Sequence, residues 1–134
     1  MESIEIGGGD TATPINLGKR IRLIQSKVDL RGKKVLDLGC GSGDYVDYFR
    51  RHLGAEAWGI EFQKDKVAAA KTNEKIGNFI SQGNIEKIDL PDSSFDFILL
   101  NEVLEHVPND DAALREAYRL LRPWGMLCVF SPNR

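Results

Sequence analysis

The sequence has 134 residues, 42% hydrophobic and 28% charged, with a formal net charge of −2. That is enough chain for one hydrophobic core, and the balance is that of an ordinary globular domain. The charge argues against a surface built to bind phosphate backbones, so a nucleic-acid partner is not expected. No apolar run approaches the roughly 18–20 residues of a membrane span, and Met1-Glu2-Ser3-Ile4-Glu5 lacks the basic start of a signal peptide. Two isolated cysteines, Cys40 and Cys128, make neither a disulfide framework nor a metal cluster, so we expect a cytoplasmic protein without a bound metal.

Residues 1–14 contain Gly7-Gly8-Gly9 and Pro14 and read as a flexible lead-in, leaving 15–134 as a single core. Ile15, Leu17, Ile21, Ile24 and Val28 give a helical apolar pattern interleaved with Lys19, Arg20 and Arg22. A strand-helix alternation follows. Val35-Leu36-Asp37-Leu38 reads as a buried strand ending in glycines. Asp44 can cap a helix presenting Val46, Phe49 and Leu53. Residues 57–61 form a second strand, followed by a helix through Val67 and Ala70. Residues 78–81 give the third strand and Phe95-Asp96-Phe97-Ile98-Leu99-Leu100 the fourth. Asn109 or Asp110 caps a helix carrying Leu114, Ala117 and Leu121, and residues 126–130 make the fifth strand. The expected fold class is therefore α/β, a Rossmann-like doubly wound parallel sheet of about five strands with helices on both faces.

The first strand runs into Gly39-Cys40-Gly41-Ser42-Gly43, three alternate glycines at a strand-to-helix turn. Glycine serves where the backbone takes positive φ or must approach a ligand closely. By itself the triplet also fits a tight turn with no ligand. Asp37 adds a carboxylate at the first strand's end, and Glu61 another at the second's, where dinucleotide folds place an acid against ribose hydroxyls. A dinucleotide fingerprint begun at Gly39 would need glycine at 44, where Asp44 stands. That carboxylate would oppose a pyrophosphate at the helix N-terminus, so the loop suits a ligand without phosphates.

Val35-Leu36-Asp37-Leu38-Gly39-Cys40-Gly41-Ser42-Gly43 resembles the first motif of class I S-adenosylmethionine-dependent methyltransferases. The resemblance continues in register through Glu61, Gly83-Asn84-Ile85-Glu86, Asn101-Glu102-Val103-Leu104-Glu105-His106 and Leu120-Leu121-Arg122-Pro123-Trp124-Gly125, covering about residues 30–131. It implies an enzyme that binds S-adenosylmethionine, releases S-adenosylhomocysteine and methylates a small-molecule acceptor. It also implies that Asp37, Gly39, Cys40, Gly41 and Gly43 surround the methionine part and Glu61 the ribose diol. Phe62, Asn84 and Ile85 would line the adenine, and Asn101 would stand beside the reactive methyl. Trp124 replaces a glycine common in the family and is assigned a packing role. His106 is the candidate general base where the acceptor must lose a proton. The family's last two strands are not found after the fifth. We therefore expect an apolar edge at Val129 and Phe130 that pairs with another copy or a partner, and a cofactor-binding core inactive alone is the alternative reading.

Overall fold

A computed structural model describes residues 2–8 and 14–132. Among these, strands β1 (Glu2–Gly8), β2 (Lys34–Leu38), β3 (Glu56–Glu61), β4 (Ile80–Gln82), β5 (Phe95–Asn101) and β6 (Leu121–Pro132) form one sheet in the order β1-β6-β5-β2-β3-β4. Every neighbouring pair is parallel. Helices α1 (Pro14–Gln25), α2 (Asp44–Leu53), α3 (Lys64–Lys71) and α4 (Asp110–Leu120) connect them. The parallel α/β sheet expected from the sequence is what the chain forms. No described helix is long and apolar enough to cross a membrane.

The period of two along the central strands explains why helices cover both faces. On β5, Phe97 and Leu99 pack with Ile21, Ile24, Val46 and Phe49 of α1 and α2. Their neighbours Ile98 and Leu100 pack with Ala113, Ala117 and Leu120 of α4. A strand apolar on both faces belongs in the middle of a parallel sheet. β2 follows the same rule, with Leu36 and Leu38 in the α4-side core and Val35 in the other. Asp37 shares the side of Val35, where the alternation calls for an apolar residue.

Sheet order fixes where a ligand can enter. From β2 the chain proceeds outward through β3 and β4, then returns to β5 on the other side of β2 and proceeds through β6. The segments after β2 and β5 thus diverge and leave a crevice at the carboxyl ends of adjacent strands.

Several expectations are corrected. The lead-in assigned to residues 1–14 contains β1, whose Glu2 to Gly8 pair in register with Met126 to Pro132 of β6; Ile4 and Ile6 supply a short β-branched alternation that the neighbouring glycines obscure. Residues 9–13 lie outside the described residues. The β6 edge expected to be open to another chain is therefore covered by this chain's own β1. Asp44 opens α2 but does not cap it: Gly43 is the N-cap, at φ 90°. Asn109 does cap α4, accepting from the Ala112 N–H at 3.1 Å. β4 starts later than expected because residues 77–79 form a 3-10 turn. β6 starts earlier than residue 126, at Leu121, and its pairing with β5 shifts register between Phe95 and Phe97.

Trp124 does not pack. It stands 93% exposed with a left-handed φ of 69°, a conformation that costs a residue with a Cβ about 1–2 kcal/mol. Trp124→Gly removes that strain and adds about 0.5–1 kcal/mol of unfolded-state entropy. The net expectation is a gain of about 0.5 kcal/mol. A higher urea midpoint at unchanged slope is the checkable result, and an unchanged or lower midpoint contradicts it.

Candidate functional site

The crevice is a cavity of about 800 Å³. Its floor is the turn from β2 to α2, whose left-handed backbone requires glycine at φ 82° for Gly39, 57° for Gly41 and 90° for Gly43. At Gly39 space matters as well, since a Cβ there would lie 2.5 Å from Val103 Cγ2. Val103 follows β5, so glycine lets the two diverging segments close together.

Four backbone donors of this loop, those of Gly39, Cys40, Gly41 and Gly43, are already committed. The N–H groups of Gly39 and Cys40 both donate to the Ile60 carbonyl, at 2.7 and 3.1 Å, and Gly43 N–H donates to the Cys40 carbonyl. Gly41 N–H donates to Glu61 Oε1 at 2.8 Å. A phosphate-cradling loop presents free N–H groups to its ligand; this loop spends four of its five on acceptors within the protein. Glu61, 6% exposed, also accepts from Gln63 N–H through Oε2 at 2.9 Å. Each carboxylate oxygen thus holds one backbone donor and keeps a second lone pair.

Asp37 is 1% exposed, and its Oδ1 has no hydrogen-bond partner. Burial first, then the negative charges of Glu61 and Asp44, push its carboxyl up from 3.8 to about 8. A buried polar atom without a partner is rare in folded proteins. Asp37 lines the cavity together with four other acidic residues, Asp44, Glu61, Glu86 and Glu102. Burial, with Asp37 and Glu61 nearby, likewise pushes the Cys40 thiol far above its ordinary range. Cys40 is a buried part of the cavity wall whose thiol is held protonated.

On the β5 side the site is held by a residue that the sequence analysis passed over. Arg20 of α1 donates through Nη1 to Asn101 Oδ1 at 2.5 Å and to Glu102 Oε2 at 2.7 Å, and its guanidinium lies 4.9 Å from the Phe130 ring centroid. Glu102 takes a left-handed φ of 56°. Its N–H to the Phe130 carbonyl, at 2.7 Å, and the Arg20 pair hold it there. A signal existed: Arg20 sits four residues before the buried Ile24, on the apolar side of its helix. Tyr45 of α2 also lines the cavity; burial pushes its phenol well above the ordinary range, against the pull of Arg20.

Asp37, Gly39, Cys40, Gly41, Glu61, Phe62, Asn84, Ile85, Asn101 and His106 all line the cavity. Gly43 does not: it turns the chain into α2, and a Cβ there would meet Ile76 Cδ1 at 2.6 Å. Ile85 is buried, whereas Phe62 is 63% exposed at the mouth. Asn84 Oδ1 accepts from Glu86 N–H at 2.9 Å, so this oxygen already serves its own turn. His106 is exposed, its Nε2 3.6 Å from Glu105 Oε1. Among the described residues no group of three or more His, Cys, Asp or Glu could hold a metal ion.

Residues 36–129 match a family model described as a methyltransferase domain. The chain is 32% identical over 120 residues to the ubiquinone biosynthesis O-methyltransferase of Neisseria meningitidis serogroup C, covering 86% of this chain and 50% of that protein. It is 39% identical over 108 residues to the protein of the same name from Rhodopseudomonas palustris, covering 78% and 42%. The chain thus spans about half the length of these relatives. A solved S-adenosylmethionine-dependent methyltransferase from Aquifex aeolicus superposes with a TM-score of 0.73 at 25% identity, covering 87% of this chain and 66% of that one. Family model, relatives and architecture agree with the glycine loop and its acids: the chain belongs to the class I S-adenosylmethionine-dependent methyltransferases.

Proposed function

We propose that this chain binds S-adenosylmethionine in the 800 Å³ cavity and transfers its methyl group to a small-molecule acceptor. Asp37 Oδ1 carries the proposal. A buried carboxylate oxygen without a donor, in a cavity ringed by Glu61 and Asp44, fits a cationic ligand end such as an amino-acid ammonium. The committed loop amides fit a ligand that brings no phosphate.

In this reading Asp37 and the glycine turn hold the methionine end. Glu61 accepts from the ribose hydroxyls on its remaining lone pairs. Phe62 and Ile85 offer apolar surface to the adenine, and Asn84 offers it polar contact. When bound, the cofactor supplies a methyl group on a sulfonium, which leaves as a neutral thioether. The protein's part is alignment and exclusion of water. Arg20 keeps Asn101 and Glu102 fixed at the end of β5, so that the acceptor meets a rigid wall. His106, exposed at the same end, accepts the acceptor's proton when that acceptor is a hydroxyl. The relatives' names point to oxygen acceptors, and we assign this chain a hydroxyl-bearing small molecule. Cys40 and Cys128 are both free, which suits the cytoplasm.

Methyl-labelled cofactor incubated with the chain and a series of hydroxyl-bearing small molecules tests this reading. Label is expected on a hydroxyl, with a slower rate for His106→Ala. Absence of transfer by protein that binds S-adenosylhomocysteine would remove the activity and leave a cofactor-binding core.

A further inference from the structure

Residues 83–94, between β4 and β5, form neither helix nor strand, yet Asn84, Ile85 and Glu86 from this segment make one wall of the cavity. Long irregular segments within a compact domain are easily displaced unless something ties them. Here the tie comes from outside the cavity, from α4.

Arg119 spends all five of its N–H donors within this region. Nε donates to Glu116 Oε1 at 2.8 Å, and Nη2 to Glu116 Oε2 at 3.0 Å and the Ile88 carbonyl at 2.8 Å. Nη1 donates to the Leu90 carbonyl at 2.8 Å and to Asp92 Oδ1 at 2.7 Å. Glu116 closes the circuit by accepting the Ile88 N–H on Oε2 at 2.6 Å. Both backbone groups of Ile88 therefore end on one ion pair. That pair favours its own charged state: Glu116 is held below the usual carboxylate range mainly by Arg119, and Arg119 above its own mainly by Glu116. Ile85 and Ile88 are buried, so a segment held at residue 88 presents residues 84–86 in one place.

We infer that Arg119, which does not touch the cavity, is the positioning residue for its adenine-side wall, acting through Glu116 and the backbone of Ile88. The inference rests on the proposed cofactor reading for what that wall meets. It follows from the shape of the guanidinium. Five donors in a rigid fork can hold Ile88, Leu90 and Asp92 at once, whereas the three donors of a lysine ammonium cannot reproduce that fork. A preorganised wall binds without an ordering cost, and its loss appears as weaker affinity.

Calorimetry with S-adenosylhomocysteine and amide hydrogen exchange on Arg119→Lys and Glu116→Gln form the test. Arg119→Lys is expected to weaken binding about tenfold, the scale of one charge-assisted hydrogen bond. Exchange should quicken at residues 84–90 while residues 97–100 of β5 keep wild-type protection. Glu116→Gln keeps an acceptor for Ile88 N–H and should lose only about threefold; it carries the test should Arg119→Lys fail to fold. Wild-type affinity in a folded Arg119→Lys protein, or in Glu116→Gln where that variant stands in, overturns the inference. Should wild-type protein itself not bind, the cofactor reading fails separately. Exchange at 84–90 then decides the clamp: quickening in either variant upholds it, and wild-type protection in both overturns it.

Discussion

Glu61→Ala is expected to weaken S-adenosylhomocysteine binding by about 100-fold, the equivalent of about 2.7 kcal/mol. Two losses combine. Hydrogen bonds from a ribose diol to a buried carboxylate are charge-assisted and contribute about 1.5–3 kcal/mol each. The same carboxylate also accepts the N–H groups of Gly41 and Gln63, so its removal leaves two backbone donors unpaired beside the cofactor. The variant should therefore also lose about 1–2 kcal/mol of folding stability. Glu61→Gln separates these effects, since its amide oxygen can still take the Gly41 N–H while the charge is gone. Its stability should lie nearer wild type than its affinity does. Calorimetry and urea unfolding on both variants check this, and a Glu61→Ala affinity within threefold of wild type would remove Glu61 from the ribose.

Asp37→Asn is expected to change how the protein responds to pH. Unfolded, this carboxyl titrates near 3.8; folded, it is raised to about 8, through burial and then the charges of Glu61 and Asp44. Between those values the folded chain retains a proton that the unfolded chain has lost. The stability linked to Asp37 is thus complete below pH 3.8 and lost as pH rises through about 8. Its contribution to the slope is at most about 1.4 kcal/mol per pH unit. Asp37→Asn should flatten that part of the profile and be more stable than wild type at pH 8. Ligand binding runs the other way. A ligand ammonium beside Oδ1 favours the carboxylate, so binding below pH 8 releases a proton. Wild-type affinity for S-adenosylhomocysteine should rise from pH 6 to pH 8, by at most about tenfold per unit, then level. Asp37→Asn should bind weakly with no such rise. An affinity independent of pH across that range in the wild type would mean that Asp37 does not meet the ammonium.

How much of this was legible in the sequence depended on the range of the interaction. β2 and β5 were readable because a strand apolar on both faces has one place in a parallel sheet, and Phe97, Ile98, Leu99 and Leu100 write that pattern in consecutive residues. The glycine turn was readable for a similar reason, since positive φ at Gly39, Gly41 and Gly43 is a local demand. Distinguishing lining from turning was not, because Gly43 is excluded from the cavity by packing against Ile76, far along the chain. Arg20 was hidden in the same way. Its spacing to Ile24 marks the apolar side of α1, but its partners Asn101 and Glu102 lie 81 and 82 residues away, so the sequence does not say what it holds. The Glu116–Arg119 clamp shows as an i,i+3 pair, but its grip on Ile88 depends on how α4 docks. β1 escaped notice because Gly7-Gly8-Gly9 and Pro14 are stronger local signals than two isoleucines. Its pairing needs the β6 edge, more than a hundred residues later.

Calorimetric titration of the wild-type chain with S-adenosylhomocysteine, with NAD as the control, tests the central claim most directly. The acid-ringed cavity and committed loop amides predict saturable binding at a single site for the first ligand and none for the second. A folded sample that binds NAD, or leaves S-adenosylhomocysteine unbound, would contradict the account.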